Sequence, residues 1–225
     1  MKTFVFTDIH GEFDTFLDLY QKIKIDESKD KLIFLGDYID RGNKSFELIE
    51  FLISLKSVYE DRIIFLKGNH EDMMLKYLYH LNILNNYREF HHDHNIWFSN
   101  GGFQTIKSYN KNGFDLSKNE MPETHRKFYD DLDLYHETED FIFVHAGLNK
   151  NFDLIDQDEN DLMWIRNKFI SDSFDFGKTI VFGHTVRKDF TVYKDDFKIG
   201  IDTGLVYGGK LTCLELPKLN FHKKW

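Results

Sequence analysis

Hydrophobic residues in the first third of the chain come in short runs, each ending in a polar, glycine-flanked loop. Lys2 to Thr7 alternates with Phe4 and Phe6 on one face, reads as a strand, and runs into Asp8, Ile9, His10 and Gly11. From Glu12 to Ile23, Phe13, Phe16, Leu17 and Tyr20 recur near helical spacing. Lys31 to Leu35 is a second strand that stops at Gly36 and Asp37. Ser45 to Tyr59 offers Phe46, Ile49, Ile53 and either Leu55 or Val58 as an apolar helix face, with Ser45 as the expected cap. Arg62 to Leu66 is a third strand, stopping at Gly68, Asn69 and His70. Glu71 to Leu84 is expected to be a helix that packs Met74, Leu75, Leu78 and Leu81 inward. Strand, polar loop and helix thus recur three times, which predicts a helix-covered sheet with the post-strand loops gathered on one rim.

The stretch from about Phe90 to His136 is less periodic and carries Gly101, Gly102, Gly113 and Pro122; helices and a long loop walling the site are expected there. Strands return at Phe141 to Val144, Thr179 to Phe182, Thr191 to Tyr193, Lys198 to Ile201 and Leu211 to Leu216. Their short spacing favours hairpins and mixed or antiparallel pairing. No internal repeat or dividing linker interrupts the pattern, so one domain over residues 1–225 is expected.

Composition narrows the function. The chain has 225 residues, 41% of them hydrophobic and including 23 Phe and 11 Tyr, enough for a substantial core. Cys213 is the one cysteine, set in the apolar LTCLEL, and reads as a buried strand residue in a protein from a reducing compartment. No run reaches the roughly 18 apolar residues of a membrane span, so no membrane partner and a cytoplasmic location are expected. A net charge of -9 argues against a nucleic-acid polymer as partner. Bound divalent cations can still build a positive pocket in an acidic protein, which leaves phosphorylated substrates open.

The candidate chemistry sits in five clusters, each behind a predicted strand: Asp8-Ile9-His10-Gly11, Gly36 to Gly42, Gly68-Asn69-His70-Glu71, His145-Ala146-Gly147 and Gly183-His184-Thr185. Singly, a strand-end Asp is most often a cap or turn residue. Together the five offer carboxylate, imidazole and amide donors, a set that suits Mn, Fe or Zn and not a thiolate site. Asp8 and His10, two apart on an extended segment, can chelate one ion. Asp37 is the natural bridge, and Asn69, His145 and His184 complete a second shell. Two ions about 3.5 to 4 Å apart sharing a water would ease its deprotonation for in-line attack on phosphorus.

In order, TDIHG, GDYIDRG, GNHED, HAG and GHT resemble the GDxHG, GDxxDRG, GNHE, HAG and GHT pattern of the PPP-type metal-dependent phosphoprotein phosphatases. These belong to the calcineurin-like metallophosphoesterase superfamily, and the small bacterial and bacteriophage enzymes are the nearest in kind. The resemblance covers residues 2 to about 216 and takes in SNGGFQT at 99–105, LMWIR at 162–166 and IDTG at 201–204. It implies an α/β fold, a central β-sandwich of mixed sheets flanked by helices. It also implies two divalent metal ions, Mn²⁺ foremost with Fe, Zn or Ni as alternatives, one on Asp8, His10 and Asp37 and the other on Asp37, Asn69, His145 and His184. Thr7 stands where the family usually has Gly, and Asn43 where many relatives have Pro. Thr7 bears on metal preference and Asn43 only loosens the turn.

A guanidinium grips two phosphoryl oxygens in a fork that lysine cannot form. The resemblance gives that role to Arg41 and, from an expected helix, to Arg166, with Asn69 and His70 also facing substrate. His70 would protonate the departing oxygen while Asp40 holds its imidazole. Asp202 would stand behind the ligands, orienting a histidine or a turn. His91, His92 and His94 match no family pattern and read as a solvated loop; Asp153 to Asp161 reads as a solvated loop and helix start, or as an acidic gate. The expected activity is hydrolysis of phosphoserine and phosphothreonine in proteins; the alternative is hydrolysis of dinucleoside polyphosphates such as diadenosine tetraphosphate. The two would differ in walls expected at 85–135 and 148–175. A scaffold role would show missing ligands, and all six are present. A monomer is expected, with the final LNFHKKW disordered or packed at an edge.

Overall fold

The computed structural model describes residues 1–82 and 95–225, so His91, His92 and His94 lie outside the described residues. Two five-stranded sheets form its centre. In the first, β1 (Thr3–Phe6), β2 (Lys31–Phe34) and β3 (Ile63–Phe65) run parallel, β9 (Leu211–Leu216) pairs antiparallel with β1, and β10 (Asn220–Lys224) closes the edge beside β9. In the second, β5 (Phe141–Val144), β6 (Thr179–Phe182) and β8 (Lys198–Gly200) run parallel. Antiparallel β4 (Tyr135–Glu137) and β7 (Tyr193–Lys194) cover its edges.

Side-chain alternation explains the layers. Phe6, Phe34 and Phe65 face one another across β1, β2 and β3, their rings stacked at 5.2 Å, and point toward the helices. There they meet α1 (Phe13–Lys22), α2 (Ser45–Tyr59), α3 (Asn69–Asn82), α4 (Gly102–Lys111) and α5 (Glu123–Asp130) in one buried cluster. The other face of these strands, Val5, Ile33 and Leu35, packs against Phe143, Val181, Ile199 and Ile201 of the second sheet. Behind that sheet, Ile142, Val144, Ile180 and Phe182 pack on Leu162, Ile165 and Phe169 from the region of α6 (Glu159–Trp164) and α7 (Asn167–Ile170). The order is helices, sheet, sheet, helices, as expected.

The consequence for function is directional. Six parallel strands, β1, β2, β3, β5, β6 and β8, end at Asp8, Asp37, Asn69, His145, His184 and Asp202 respectively. Every candidate ligand loop therefore leaves the carboxyl end of a strand, where ligands bind in open α/β sheets.

The second sheet is mixed, as expected: its centre is parallel, because the connections after β5 and β6 return to start the next strand on the same side, and the hairpin β7–β8 and the pair β4–β5 are antiparallel. Two local expectations need correction. Ser45 is the first helical residue and not a cap: Lys44 takes that position without a side-chain bond, and the buried Ser45 hydroxyl lies 3.3 Å from that of Thr105. Arg166 is not within a helix but at the break between α6 and α7. The C-terminal segment packs at the sheet edge, one of its two expected states, as a strand whose polar residues are tied down by His222 on Glu215 at 2.8 Å and Lys224 on Asp18 at 2.9 Å. Cys213 is buried in β9, as expected.

The helical layer contains a buried polar chain. Tyr129 donates to the hydroxyl of Tyr109 at 3.0 Å, Tyr109 donates to His125 Nδ1 at 2.8 Å, and His125 Nε2–H donates to Glu50 at 2.7 Å. Neutral imidazole satisfies each atom, and burial pushes His125 below the ordinary histidine value, against the pull of Glu50. With the folded value depressed, the unfolded chain takes up the proton first as pH falls below about 6.5, so stability is present above that pH and lost below it. His125→Gln, which keeps a donor and an acceptor, is expected to flatten the loss between pH 6.5 and 5 by up to about 1.4 kcal/mol per pH unit. Denaturant unfolding across that window measures it, and an unchanged slope refutes the assignment.

Candidate metal and phosphate site

The rim is built from strained loops. Asp8, His10, Asp37, Asp40, Arg41 and His184 all have left-handed φ, between 49° and 73°. Side chains rarely adopt this conformation, and each such residue costs on the order of 1–3 kcal/mol unless its surroundings hold it.

Glu71 does much of the holding. Its Oε2 accepts the backbone N–H of Asp37 at 2.9 Å and of Gly68 at 3.0 Å, and its Oε1 accepts those of Tyr38 at 2.9 Å and Ile39 at 3.4 Å. One buried carboxylate thereby pins the β2 loop to the β3 loop. The Asp37 carboxylate in turn accepts the N–H of His70 at 3.0 Å. Gly68 has no room for a side chain, since a Cβ there would lie 2.2 Å from Asp37 Oδ1. Beside β6, Gly183 leaves space for Thr7, whose hydroxyl donates to Asp8 Oδ2; His184 N–H donates to the same oxygen at 3.0 Å. The threonine that departs from the family pattern thus orients the neighbouring carboxylate.

The ligand atoms converge on Asp37. His10 Nε2 lies 3.6 Å from Asp37 Oδ2, and His145 Nε2 lies 3.5 Å from Asp37 Oδ1. His10 Nδ1 donates to the carbonyl of Ile39 and His145 Nδ1 to that of Leu35, both at 2.8 Å. Each Nε2 therefore presents a lone pair. His145 Nε2 sits 3.0 Å from Asn69 Oδ1, so an acceptor faces an acceptor, a crowding that a cation relieves, and His184 Nδ1 lies 3.2 Å from the same nitrogen. Two groups of ligand atoms come together among the described residues: His10, Asp37 and His70, and Asp37, His145 and His184. Asp8 lines the same cleft with one oxygen engaged by Thr7 and His184, and Asn69 lies against the second group.

Electrostatics favour cations. Burial holds His10, His145 and His184 below the ordinary histidine value, in the neutral form that ligates metal, and burial together with the Arg41 charge lowers His70 as well. Burial and the Asp8 charge push Asp37 and Asp202 up, because these carboxylates crowd one another. Arg41 brings a positive charge against them, donating from Nη1 to His10 Nε2 at 2.8 Å and from Nη2 to His70 Nε2 at 3.0 Å. Oxygen and imidazole donors around a bridging carboxylate fit two borderline divalent ions.

The predicted acid and its partner meet, with His70 Nδ1 2.6 Å from Asp40 Oδ2. Asp40 is fully buried; Trp97 Nε1–H donates to it at 3.0 Å and the Thr105 hydroxyl at 2.6 Å, while burial pushes its carboxyl up to about 8. Arg166 reaches the cleft and anchors one nitrogen on the carbonyl of His184 at 2.8 Å. Asp202 accepts the N–H of Gly204 at 3.0 Å, stabilising a turn and not a histidine. The acidic run at 153–161 stays outside the cleft: Asp158 caps α6 and Asp161 binds Asn149 at 2.7 Å.

Comparison with known proteins follows this geometry. A family model described as calcineurin-like phosphoesterase matches residues 1–196. The chain belongs to the calcineurin-like phosphoesterases. Among members of that family, it is 25% identical over 237 aligned residues to a bis(5'-nucleosyl)-tetraphosphatase, PrpE, of Anoxybacillus flavithermus, covering 94% of this chain and 89% of the relative. It is 40% identical over 75 residues to the serine/threonine-protein phosphatase SIT4 of Candida albicans, covering 32% of this chain and 24% of that protein. The fold matches a crystal structure provisionally named a diadenosine tetraphosphatase, with TM-score 0.72 at 19% identity over all of this chain and 94% of the other. It also matches a serine/threonine phosphatase from Saccharomyces cerevisiae, with TM-score 0.64 at 18% identity over 96% of this chain and 72% of the other. The protein is therefore a phosphohydrolase of a metal-dependent family.

Sequence reasoning passed over three parts of this calcineurin-like phosphoesterase site. Glu71 was visible inside GNHED but has no assigned chemistry until its four N–H partners are seen. Trp97 carries no charge and announces nothing, and Thr105, the last residue of SNGGFQT, has no assigned chemistry until its bond to Asp40 is seen. The wall was expected at 85–135 and 148–175, yet among the described residues those stretches give the cleft only Arg166; the wall comes from Val186 to Phe190 and Tyr207.

Relief of crowded charge predicts metal-linked stability. With Mn²⁺ about a hundredfold above its dissociation constant, one site adds ~2.7 kcal/mol, or roughly 5–10 °C in a domain of this size. Thermal unfolding with Mn²⁺ against EDTA should show that rise, and Asp37→Asn should abolish it. Glu71→Gln presents amide hydrogens to backbone donors, and should cost about 2–4 kcal/mol even in EDTA. Wild-type unfolding indifferent to Mn²⁺ contradicts the metal assignment.

Proposed function

We propose that the protein hydrolyses phosphate esters or anhydrides at a two-metal centre formed by Asp8, His10, Asp37, Asn69, His145 and His184, with Mn²⁺ as the working ion. The observation that carries this reading is the convergence of imidazole, amide and carboxylate lone pairs on Asp37. When bound, the two ions supply a nucleophile from water and neutralise charge on the phosphoryl group. The chain's own residues do the rest. Arg41 exchanges its imidazole partners for phosphoryl oxygens, and Arg166, braced on the His184 carbonyl, grips from the other side. His70 delivers a proton from Nε2 to the leaving oxygen while Asp40 stabilises the imidazolium through Nδ1. Trp97 and Thr105 hold Asp40 in place.

Two substrate readings share this centre. Phosphoserine and phosphothreonine draw support from the SIT4-like segment, and a dinucleoside polyphosphate from the relative matched along nearly the whole chain. The reading takes the chain as one domain, supported by the core its two sheets share, and takes it to act as a monomer in the cytoplasm. No helix among the described residues is long and apolar enough to cross a membrane.

The acid role is tested by leaving group. His70→Asn should lower kcat by about 10²-fold or more on a phosphothreonine peptide, whose departing alkoxide must be protonated, and far less on nitrophenyl phosphate, whose leaving group needs no proton. Equal losses on all substrates sink the assignment. Initial rates with Mn²⁺ for peptide and dinucleotide at matched concentration decide between the substrates.

A further inference from the structure

The cleft holds more recognition surface than a single phosphoryl group needs. It has a volume of about 360 Å³, and beyond the metal loops it is walled by Val186, Arg187, Lys188, Phe190 and Tyr207. The protein carries a net charge of -9, yet Arg41, Arg166, Arg187 and Lys188 all line this one cleft. Arg41 and Arg166 suffice for the scissile phosphate, which leaves two cations without a task in the proposed chemistry.

The strap that carries them is built, not slack. Asp189 accepts Arg187 Nε–H at 3.2 Å, the Thr191 hydroxyl at 2.8 Å and the Thr191 N–H at 3.3 Å, and Phe190 N–H donates to the carbonyl of Arg187 at 3.0 Å. Phe190 is left with φ at 54°, a conformation that a bulky residue adopts only when held. Its ring lies on Gly204, where a Cβ would come within 2.6 Å of Cδ1. Gly204 opens the turn Leu205–Tyr207, so the strap and this turn form one surface. The rings of Phe190 and Tyr207 remain 39% and 55% exposed beside the cleft, and the Arg41 guanidinium sits 5.1 Å from the Tyr207 ring. A rigid apolar-aromatic face next to spare cations matches a planar base joined to a chain of phosphates.

We infer that the strap Val186–Phe190 and Tyr207 form a nucleotide subsite, with Arg187 and Lys188 on phosphates beyond the scissile one and the base against the Phe190 and Tyr207 rings. The inference rests on the hydrolase reading and selects nucleoside polyphosphates over phosphopeptides as its substrate. Hydrolysis of such a substrate consumes one water and breaks one P–O–P bridge, with the leaving phosphate oxygen taking the proton, so no further reactant is required.

The test uses the Mn²⁺-loaded full chain as wild type, Arg187→Ala/Lys188→Ala, and Tyr207→Leu. For each, kcat/KM on diadenosine tetraphosphate is divided by kcat/KM on nitrophenyl phosphate. Base stacking and each lost cation contact support a fall in that ratio of about tenfold or more, expressed chiefly in KM. Calorimetric titration with a methylene-bridged, non-hydrolysable analogue of the dinucleotide gives binding directly, and should weaken by a similar factor in both variants. Far-UV circular dichroism identifies a variant that fails to fold, in which case Phe190→Leu or Lys188→Gln replaces it. A ratio and an analogue affinity that stay within twofold of wild type overturn the subsite. So does a wild type that prefers the phosphothreonine peptide, although hydrolase chemistry then stands. A wild type inert even on nitrophenyl phosphate overturns the hydrolase reading instead, and analogue binding alone still judges the subsite.

Discussion

Everything catalytic in this protein depends on one buried carboxylate that makes no contact with substrate in the proposed chemistry. Glu71 collects four backbone N–H groups from two loops that enter the rim from different strands. Those donors would otherwise be unpaired in a site closed to bulk water, and the carboxylate would otherwise be an unsatisfied buried charge. Each solves the other's problem. The result fixes Asp37, the only residue that belongs to both groups of converging ligand atoms, relative to Asn69 and His70.

That fixation lets the rim store strain. Six left-handed non-glycine residues occupy loops where the chain turns sharply so that carboxylates and imidazoles aim at one point. Glycines appear where a second loop presses in: Gly68 against Asp37, and Gly183 against Thr7 and Asp8. The Thr7 substitution relative to the family pattern is accommodated by this second crevice, and its hydroxyl adds a bond to Asp8.

The parts of the fold that were legible in sequence are those whose signal is local. Phe4 and Phe6, or Phe46 and Ile49, announce a strand and a helix because alternation and helical spacing are set by nearest neighbours along the chain. The ligand loops were legible for the same reason, since each cluster is contiguous and sits at a strand end. Mixed pairing was legible in outline, but not which strands of the second sheet run parallel, because β5, β6 and β8 are joined through connections whose paths no spacing encodes. Edge packing of the C-terminal segment was one of two expectations, but its strand was not legible, because its polar residues are held by Glu215 and Asp18. In the site, Trp97 and Thr105 meet Asp40 across 57 and 65 residues of chain, a separation at which composition carries no information. The specificity wall escaped for a further reason: Tyr207 and Phe190 are ordinary residues until the Gly204 turn brings them to one surface.

In the proposed chemistry, reaction and selection are divided between the two sheets. Loops of the first carry Asp37, the His70–Asp40 pair and the Glu71 clamp, the parts that reading assigns to the reaction itself. Loops of the second carry His145 and His184, the proposed second set of ligands, and then continue into the strap at 186–190 and the turn ending at Tyr207. The segment shared with a protein phosphatase spans only a third of the chain, whereas the tetraphosphatase relative spans nearly all of it. A short, strong match therefore speaks to the reaction, and a long, weak one to the shape around it. Because the strap extends from the His184 loop and not from the Glu71-clamped half, its side chains can bear on what the cleft admits without bearing on how Asp37 is held. In the proposed chemistry the same rim would act on any phosphate brought to it, and the residues past β6 and β8 would decide which one arrives.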